Sequence, residues 1–556
     1  MSRAEIKEVR CFRIEILLLL AAVLVFCLPF TGKAYHVDSA YFVGFSRETR
    51  SQTVHANFAR YTFPGYVFGQ PMTLSKSFFH PPFLVHLLRG FRSVVPQASE
   101  VHYHLLMLCF TFISVLFCYL VARMYTSHAF WVALGLLCTP GFLLNAHNVM
   151  SDVPALALIL GGIYYFLRSW DSQSPWNAPA SVLFFFCGSM IRYTTFWIIP
   201  ALLAFGWFSS GWKGIRTVAL RLLLPWGVAI LVLLGSLWPL GLEPIFGFHA
   251  EWLKYLWAFR NITEDRAEIL ASLIISLGGA TIFPVFLIVF HKPTIRRWIG
   301  LLVAAGGIVL ACGLLRQELC AHTLLNRVLL MVCLLAGVGA LFLPFSDWRD
   351  PKKGFLLWWI LSYAFLAIML LPFGAVRYWL PVIPPVLLLW VLRFDADRAK
   401  KLLRPAVMLT ALVGLLVAAA DYHLANSCRQ FVDNIVKRGF LNKQSECWYI
   451  GEWGFRYYMH VAGASYLAKD KEPEPGDFVF RSDLACPWRL SEENEMRLME
   501  IQRFDLESDS PIRTMSHKAL SGFYSHAWGF LPYAFSRGPV ESVTLYVVGE
   551  PAAGRE

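Results

Sequence analysis

Residues 16–30, "ILLLLAAVLVFCLPF", run for fifteen positions without a charge. Similar blocks follow, such as "LLMLCFTFISVLFCYLVA" (105–122), "ALALILGGIYYFL" (155–167) and "LPWGVAILVLLGSLWPL" (224–240). Apolar blocks of this length are suited to a bilayer, where every backbone polar group must be satisfied inside a helix. Composition agrees. Of 556 residues, 57% are hydrophobic and 15% charged, against about 25% charged in soluble domains. The pattern predicts an all-α polytopic membrane protein with about thirteen transmembrane helices between residues 14 and 422. The stretch "MSRAEIKEVRCFR" with Ile16–Phe30 reads as an uncleaved signal anchor and first span.

A net charge of +12 is compatible with nucleic acid, but the basic residues sit in short loops that set topology. "GWKGIR", "HKPTIRR", "RDPKK" and "DADRAKKLLR" all fall on one side when the N-terminus is cytoplasmic. The segment 32–100 and everything after 423 then lie outside. Residues 32–100 are too long for a simple connection. "PPFLVHLLRGFRSVV" (81–95) reads there as an interfacial helix. After 423 the spans stop. "DFVFRS" and "VESVTLYVVG" read as strands, and "SCRQFVDNIVKRGF" and "SEENEMRLMEIQ" as helices. The expected division is a transmembrane domain over 1–422 and a small outer α/β domain over 423–556.

Several polar residues fall at the outer ends of apolar segments: Asp38, His80, His147, Asp152, Arg192 and Arg377. Ionisable groups at this depth are costly unless paired or facing a cavity, and so are functional candidates. Other roles remain open for each. Asp152 before Pro154 suits a helix N-cap, His80 before two prolines suits a turn, and Arg377 could snorkel to headgroups. Asp38 has no such role in view. The "HYH" at 102–104 has metal-like spacing, but positions i and i+2 of a helix face different ways. Twelve scattered cysteines without a CxxC argue against a zinc cluster or redox dithiol; Cys447 and Cys486 are the expected disulfide partners of the outer domain, with Cys428 able to compete for either. "RNIT" offers Asn261 as a glycosylation sequon.

Two carboxylates and several cations at one level suit transfer of a sugar from a lipid-linked phosphate. Cations hold the leaving phosphate and a carboxylate takes a proton from the incoming hydroxyl. The order of elements also matters: one helix, an acid soon after it, a long outer segment ending in "HPP", "DVP" at the fourth helix and a late "RYWLPVIPP". In this order the chain resembles the GT-C glycosyltransferases of the protein O-mannosyltransferase and lipid A aminoarabinose transferase superfamily, bacterial branch, over residues 14–393. "WYIGEWGFRYYM" (448–459) resembles the outer domain of bacterial members. The resemblance implies a GT-C fold, a polyprenyl-phosphate-sugar donor, a lipid, glycan or protein acceptor, and inversion at the anomeric carbon. It also implies Asp38 and Asp152 as catalytic acids and His80, Arg192 and Arg377 as donor-phosphate contacts. Many relatives have Glu after the first acid; here Ser39 stands there. A divalent cation is a candidate cofactor, with no clear ligand cluster to hold it. The implied location is a bacterial inner membrane with a periplasmic C-terminus. A transporter or lipid flippase is the alternative, although such proteins place ionisable groups nearer the midplane, between repeats.

Overall fold

A computed structural model describes residues 3–47, 66–67, 70–71, 81, 83–171, 174–237, 263–291, 306, 320–342, 349–371, 373–441 and 446–550. His80 and Asn261 lie outside the described residues, as does most of the helix expected near 298–315. Seven helices among the described residues are long and apolar enough to cross a membrane, or eight with one bent pair counted as a span. The protein is an integral multi-pass membrane protein.

Several expected spans differ in form. The span expected at 128–146 is two helices, Ala129–Cys138 and Pro140–Ala146, bent by 66°. Pro140 cannot donate the backbone bond a continuous helix needs. The span expected at 267–290 breaks at Ile282 into Thr263–Thr281 and Phe283–His291; Ile282 has φ of +35°. Apolar sequence continues through Tyr193–Leu233, but the chain turns at Ser210–Gly211. Gly211 supplies φ of +57° there. Helices Thr263–Thr281 and Leu324–Phe342 approach through Gly278 and Gly337. A Cβ on either would strike the other helix's backbone at 1.8–1.9 Å, the close packing that small residues permit in membranes.

The last long helix runs unbroken from Ala396 to Lys437, 42 residues or roughly 63 Å. That is about twice the hydrocarbon thickness. It therefore carries on past residue 423 into the C-terminal region, where Phe431 packs edge-on against Phe480 and Phe504. A change from apolar to mixed sequence marks where this helix leaves the bilayer, not where it ends.

The C-terminal region holds a five-stranded mixed sheet. Its order is Ser465–Tyr466, Cys447–Ile450, Phe478–Ser482, Glu541–Val548, Leu498–Leu506. "DFVFRS" and "VESVTLYVVG" are strands as expected. "SEENEMRLMEIQ" is helical only over Glu492–Met496 and then becomes strand Leu498–Leu506, whose backbone pairs with Glu541–Val548. The disulfide does not form: Cys447 and Cys486 are free. Cys447 opens its strand opposite Phe478, whereas Cys486 follows the far end of that neighbouring strand, past Ser482. The four residue steps from Phe478 to Ser482 separate the two ends by about 13 Å, beyond the ~7 Å a disulfide can bridge.

Candidate functional site

Asp38 immediately precedes the short helix Ser39–Arg47, and its carbonyl accepts from Tyr41 N at 3.0 Å and Phe42 N at 3.1 Å. The residue before it, Val37, has φ of +48°. A β-branched residue is strained there, and such strain costs on the order of 1–3 kcal/mol and clusters at functional sites. The bend aims Asp38 at the turn Val376–Trp379. Arg377 Nη1 donates to Asp38 Oδ2 at 2.6 Å. Asp38 remains 24% exposed and Arg377 10%, so one face of the carboxylate stays accessible. The Arg377 guanidinium lies 5.6 Å from the Tyr378 ring and 6.0 Å from that of Phe373. It is an ion-pair partner held among aromatic rings, not a side chain reaching for headgroups.

A second pair forms beside the first. Arg192 sits on extended backbone ahead of the 3-10 turn Tyr193–Ile198, and its Nη1 donates to Asp152 Oδ1 and, at 3.4 Å, to Ser151 Oγ. Both side chains are buried. Asp152 begins its helix, yet one oxygen is taken by Arg192 and Oδ2 has no partner. The carboxylate is not spent on capping. Asp152, Arg192, Thr194, Trp197, Arg377 and Tyr378 line a common cavity of about 10 Å³, room for about one water. Two orphaned polar atoms, Asp152 Oδ2 and Arg377 Nε, belong to residues of its wall.

Ser39 ties the two acids together. Its Oγ accepts from Val149 N at 3.1 Å, joining the Asp38 turn to the loop that delivers Asp152. The other sequence candidates fall elsewhere. His147 stacks on Phe30 at 4.4 Å. His102 bonds back to Ser99, and His104 Nδ1 to Glu100 O, so "HYH" makes local contacts. Among the described residues no group of three His, Cys, Asp or Glu side chains could hold a metal.

Sequence reasoning missed a buried network below Asp38. Lys33 Nζ donates to Asp421 Oδ2 at 2.5 Å and Asn148 Oδ1 at 2.6 Å. Tyr524 OH donates to Asp421 Oδ2 at 2.7 Å and accepts from Asn148 Nδ2 at 2.9 Å. Thr514 Oγ1 donates to Asp421 Oδ1 at 2.8 Å. All five are 2% exposed or less. The available signal was a carboxylate inside the apolar run "LLVAAADYHL". A further hub lies in "WYIGEWGFRYYM". Buried Glu452 accepts from Tyr41 OH at 2.6 Å, Tyr466 OH at 2.6 Å and Arg456 Nη1 at 2.8 Å, fastening the Ser39–Arg47 helix to the C-terminal sheet region.

A scan against protein-family models finds no match, and neither does a search of curated proteins. Among solved structures the chain is similar to ArnT from Cupriavidus metallidurans in the apo state, at 12% identity and a TM-score of 0.46, with 84% of this chain and 93% of that one covered. It is also similar to the same ArnT bound to undecaprenyl phosphate, at 13% identity and a TM-score of 0.40, over 85% and 93% of the two chains. Likenesses this loose say nothing of what this chain binds.

Proposed function

We propose that the protein is a membrane glycosyltransferase that moves a sugar from a polyprenyl-phosphate donor to a hydroxyl acceptor at the outer face of the membrane. The observation that carries this reading is the meeting of two Asp–Arg pairs, Asp38–Arg377 and Asp152–Arg192, with three of the four residues on one cavity wall. They come from four distant parts of the chain.

Asp38 takes the proton from the acceptor hydroxyl. The freed oxygen attacks the anomeric carbon from the face opposite the phosphate, and the bond from that carbon to the phosphate oxygen breaks. The configuration inverts and polyprenyl phosphate leaves with its charge held by Arg377 and Arg192. Guanidinium forks match phosphate oxygens well. The cavity is too small for a phosphosugar, so donor binding would part Arg377 from Asp38, and phosphate would replace the carboxylate on the guanidinium. His80 is a further phosphate contact in this reading, and Asp152 orients the acceptor or holds Arg192. The bundle of about thirteen spans would stand in a bacterial inner membrane, N-terminus cytoplasmic and outer domain (423–556) periplasmic. The sugar is a hexose or pentose.

The test is purified protein in detergent with labelled polyprenyl-phosphate hexose or pentose and a membrane extract as acceptor source. Label should pass into a lipid, glycan or protein fraction. No transfer from any such donor, with protein that is folded, would overturn the reading.

A further inference from the structure

The outer domain reaches both halves of the Asp38–Arg377 pair through one dipeptide. Phe523 O accepts from Val376 N at 3.0 Å, the residue before Arg377. Its neighbour Tyr524 bonds Asp421 and Asn148, the two groups that hold Lys33. The Tyr524 ring also meets His36 edge-on at 5.3 Å, two residues before Asp38. Just beyond, His526 N donates to Gly374 O at 2.9 Å and Gly374 N donates to His526 Nδ1 at 3.0 Å. The strap is itself fixed to the domain, with Phe523 N donating to Thr514 O at 2.9 Å. Phe523 and Tyr524 are at most 2% exposed.

We propose that Phe523–Tyr524 is a positioning element of the active site: the outer domain sets the distance between the base and the phosphate-binding arginine. The proposal rests on the glycosyltransferase reading for its catalytic part. Its physical basis is that neither catalytic segment is regular structure over its whole length. Asp38 follows a strained bend, and Arg377 lies in a four-residue 3-10 turn. Neither has a long helix to fix its angle. The Phe523 carbonyl fixes one, and the Tyr524 hydroxyl fixes the other through Asp421, Asn148 and Lys33. Lys33 and Asp421 neutralise each other, so the network is a brace without net charge. No proton or ligand needs to pass through it. Misplacing reacting groups by about 1 Å can cost on the order of a hundredfold in rate.

Tyr524→Phe removes one hydroxyl and leaves Asp421 paired with Lys33 and Thr514, so the fold should survive. Two readouts apply. Hydrogen exchange should rise in peptides covering 33–42, while residues 374–378, still held by the Phe523 carbonyl, and strands Phe478–Ser482 and Glu541–Val548 keep wild-type protection. Transfer at saturating donor should fall at least about tenfold, with the dissociation constant for undecaprenyl phosphate within about twofold of wild type. Asn148→Ala, which removes a partner of the same hydroxyl from the membrane side, should give the same exchange pattern. Unchanged exchange at 33–42, or exchange rising through the sheet as well, would overturn the proposal; so would a normal transfer rate. If the wild-type protein transfers no sugar, the glycosyltransferase reading fails by itself, and the exchange pattern still decides whether the strap holds the Asp38 segment.

Discussion

Arg377 and Asp38 stand 339 positions apart in the chain, yet their side chains meet at 2.6 Å. The base of the proposed reaction is therefore neutralised at rest by the cation proposed to hold the phosphate. In that proposal one guanidinium serves two anions in turn.

Removing that guanidinium should weaken donor use. Arg377→Ala loses charge-assisted bonds to the phosphate, worth about 1.5–3 kcal/mol each. Binding of polyprenyl phosphate should fall at least about tenfold, and Arg377→Lys should recover part of it as a point charge without the fork. Unchanged donor binding and turnover in Arg377→Ala would place the phosphate contact elsewhere.

The Asp152–Arg192 pair should reveal itself in stability. Arg192→Met strands a buried carboxylate, and breaking such a pair costs about 3–5 kcal/mol. Asp152→Asn leaves an amide oxygen that can still accept from Arg192 and should cost less. Thermal unfolding in detergent checks the order; equal midpoints for the two variants would contradict it.

Ser39→Ala removes the hydroxyl that accepts from Val149 N. A buried N–H left without a partner costs about 1–3 kcal/mol. The expected outcome is a lowered unfolding midpoint and a transfer rate reduced severalfold, because the Asp38 turn and the Asp152 loop lose their tether. A wild-type rate in this variant would show that the tether does not matter.

His36 supplies a pH dependence. Burial lowers its pKa from 6.5 to about 4; Lys33 acts in the same direction, Asp421 and Asp38 in the opposite one. The unfolded chain protonates His36 near 6.5 and the native protein only near 4. Between those values the unfolded state binds the extra proton, so stability falls as pH falls from 6.5 to 4. His36→Gln should flatten that part of the unfolding curve relative to wild type. Parallel curves for the two proteins would contradict the assignment.

Asp38, Asp152, Arg192 and Arg377 were legible in the sequence because each is an ionisable residue at the end of an apolar block, where an unpaired charge is expensive. Their pairing was not legible. Lys33 and Asp421 are 388 positions apart, and no local periodicity marks such a contact. The strand Leu498–Leu506 was misread because "MRLMEIQ" spaces its apolar residues as a helix could, and only the partner Glu541–Val548 decides. The continuity of Ala396–Lys437 was hidden by its change of solvent. Polar residues after Asp421 look like a domain boundary, although helix propensity never stops.

The most direct measurement is sugar transfer from a labelled polyprenyl-phosphate donor by Asp38→Asn beside wild type, both purified and folded. Asparagine keeps the size but cannot take the acceptor's proton, and general-base help is worth about a hundred- to ten-thousandfold. It also weakens the resting bond to Arg377, because an amide oxygen accepts without a charge. The account predicts transfer at least about a hundredfold slower, with polyprenyl phosphate bound as tightly as by wild type or more tightly. Near-normal transfer by Asp38→Asn would contradict it.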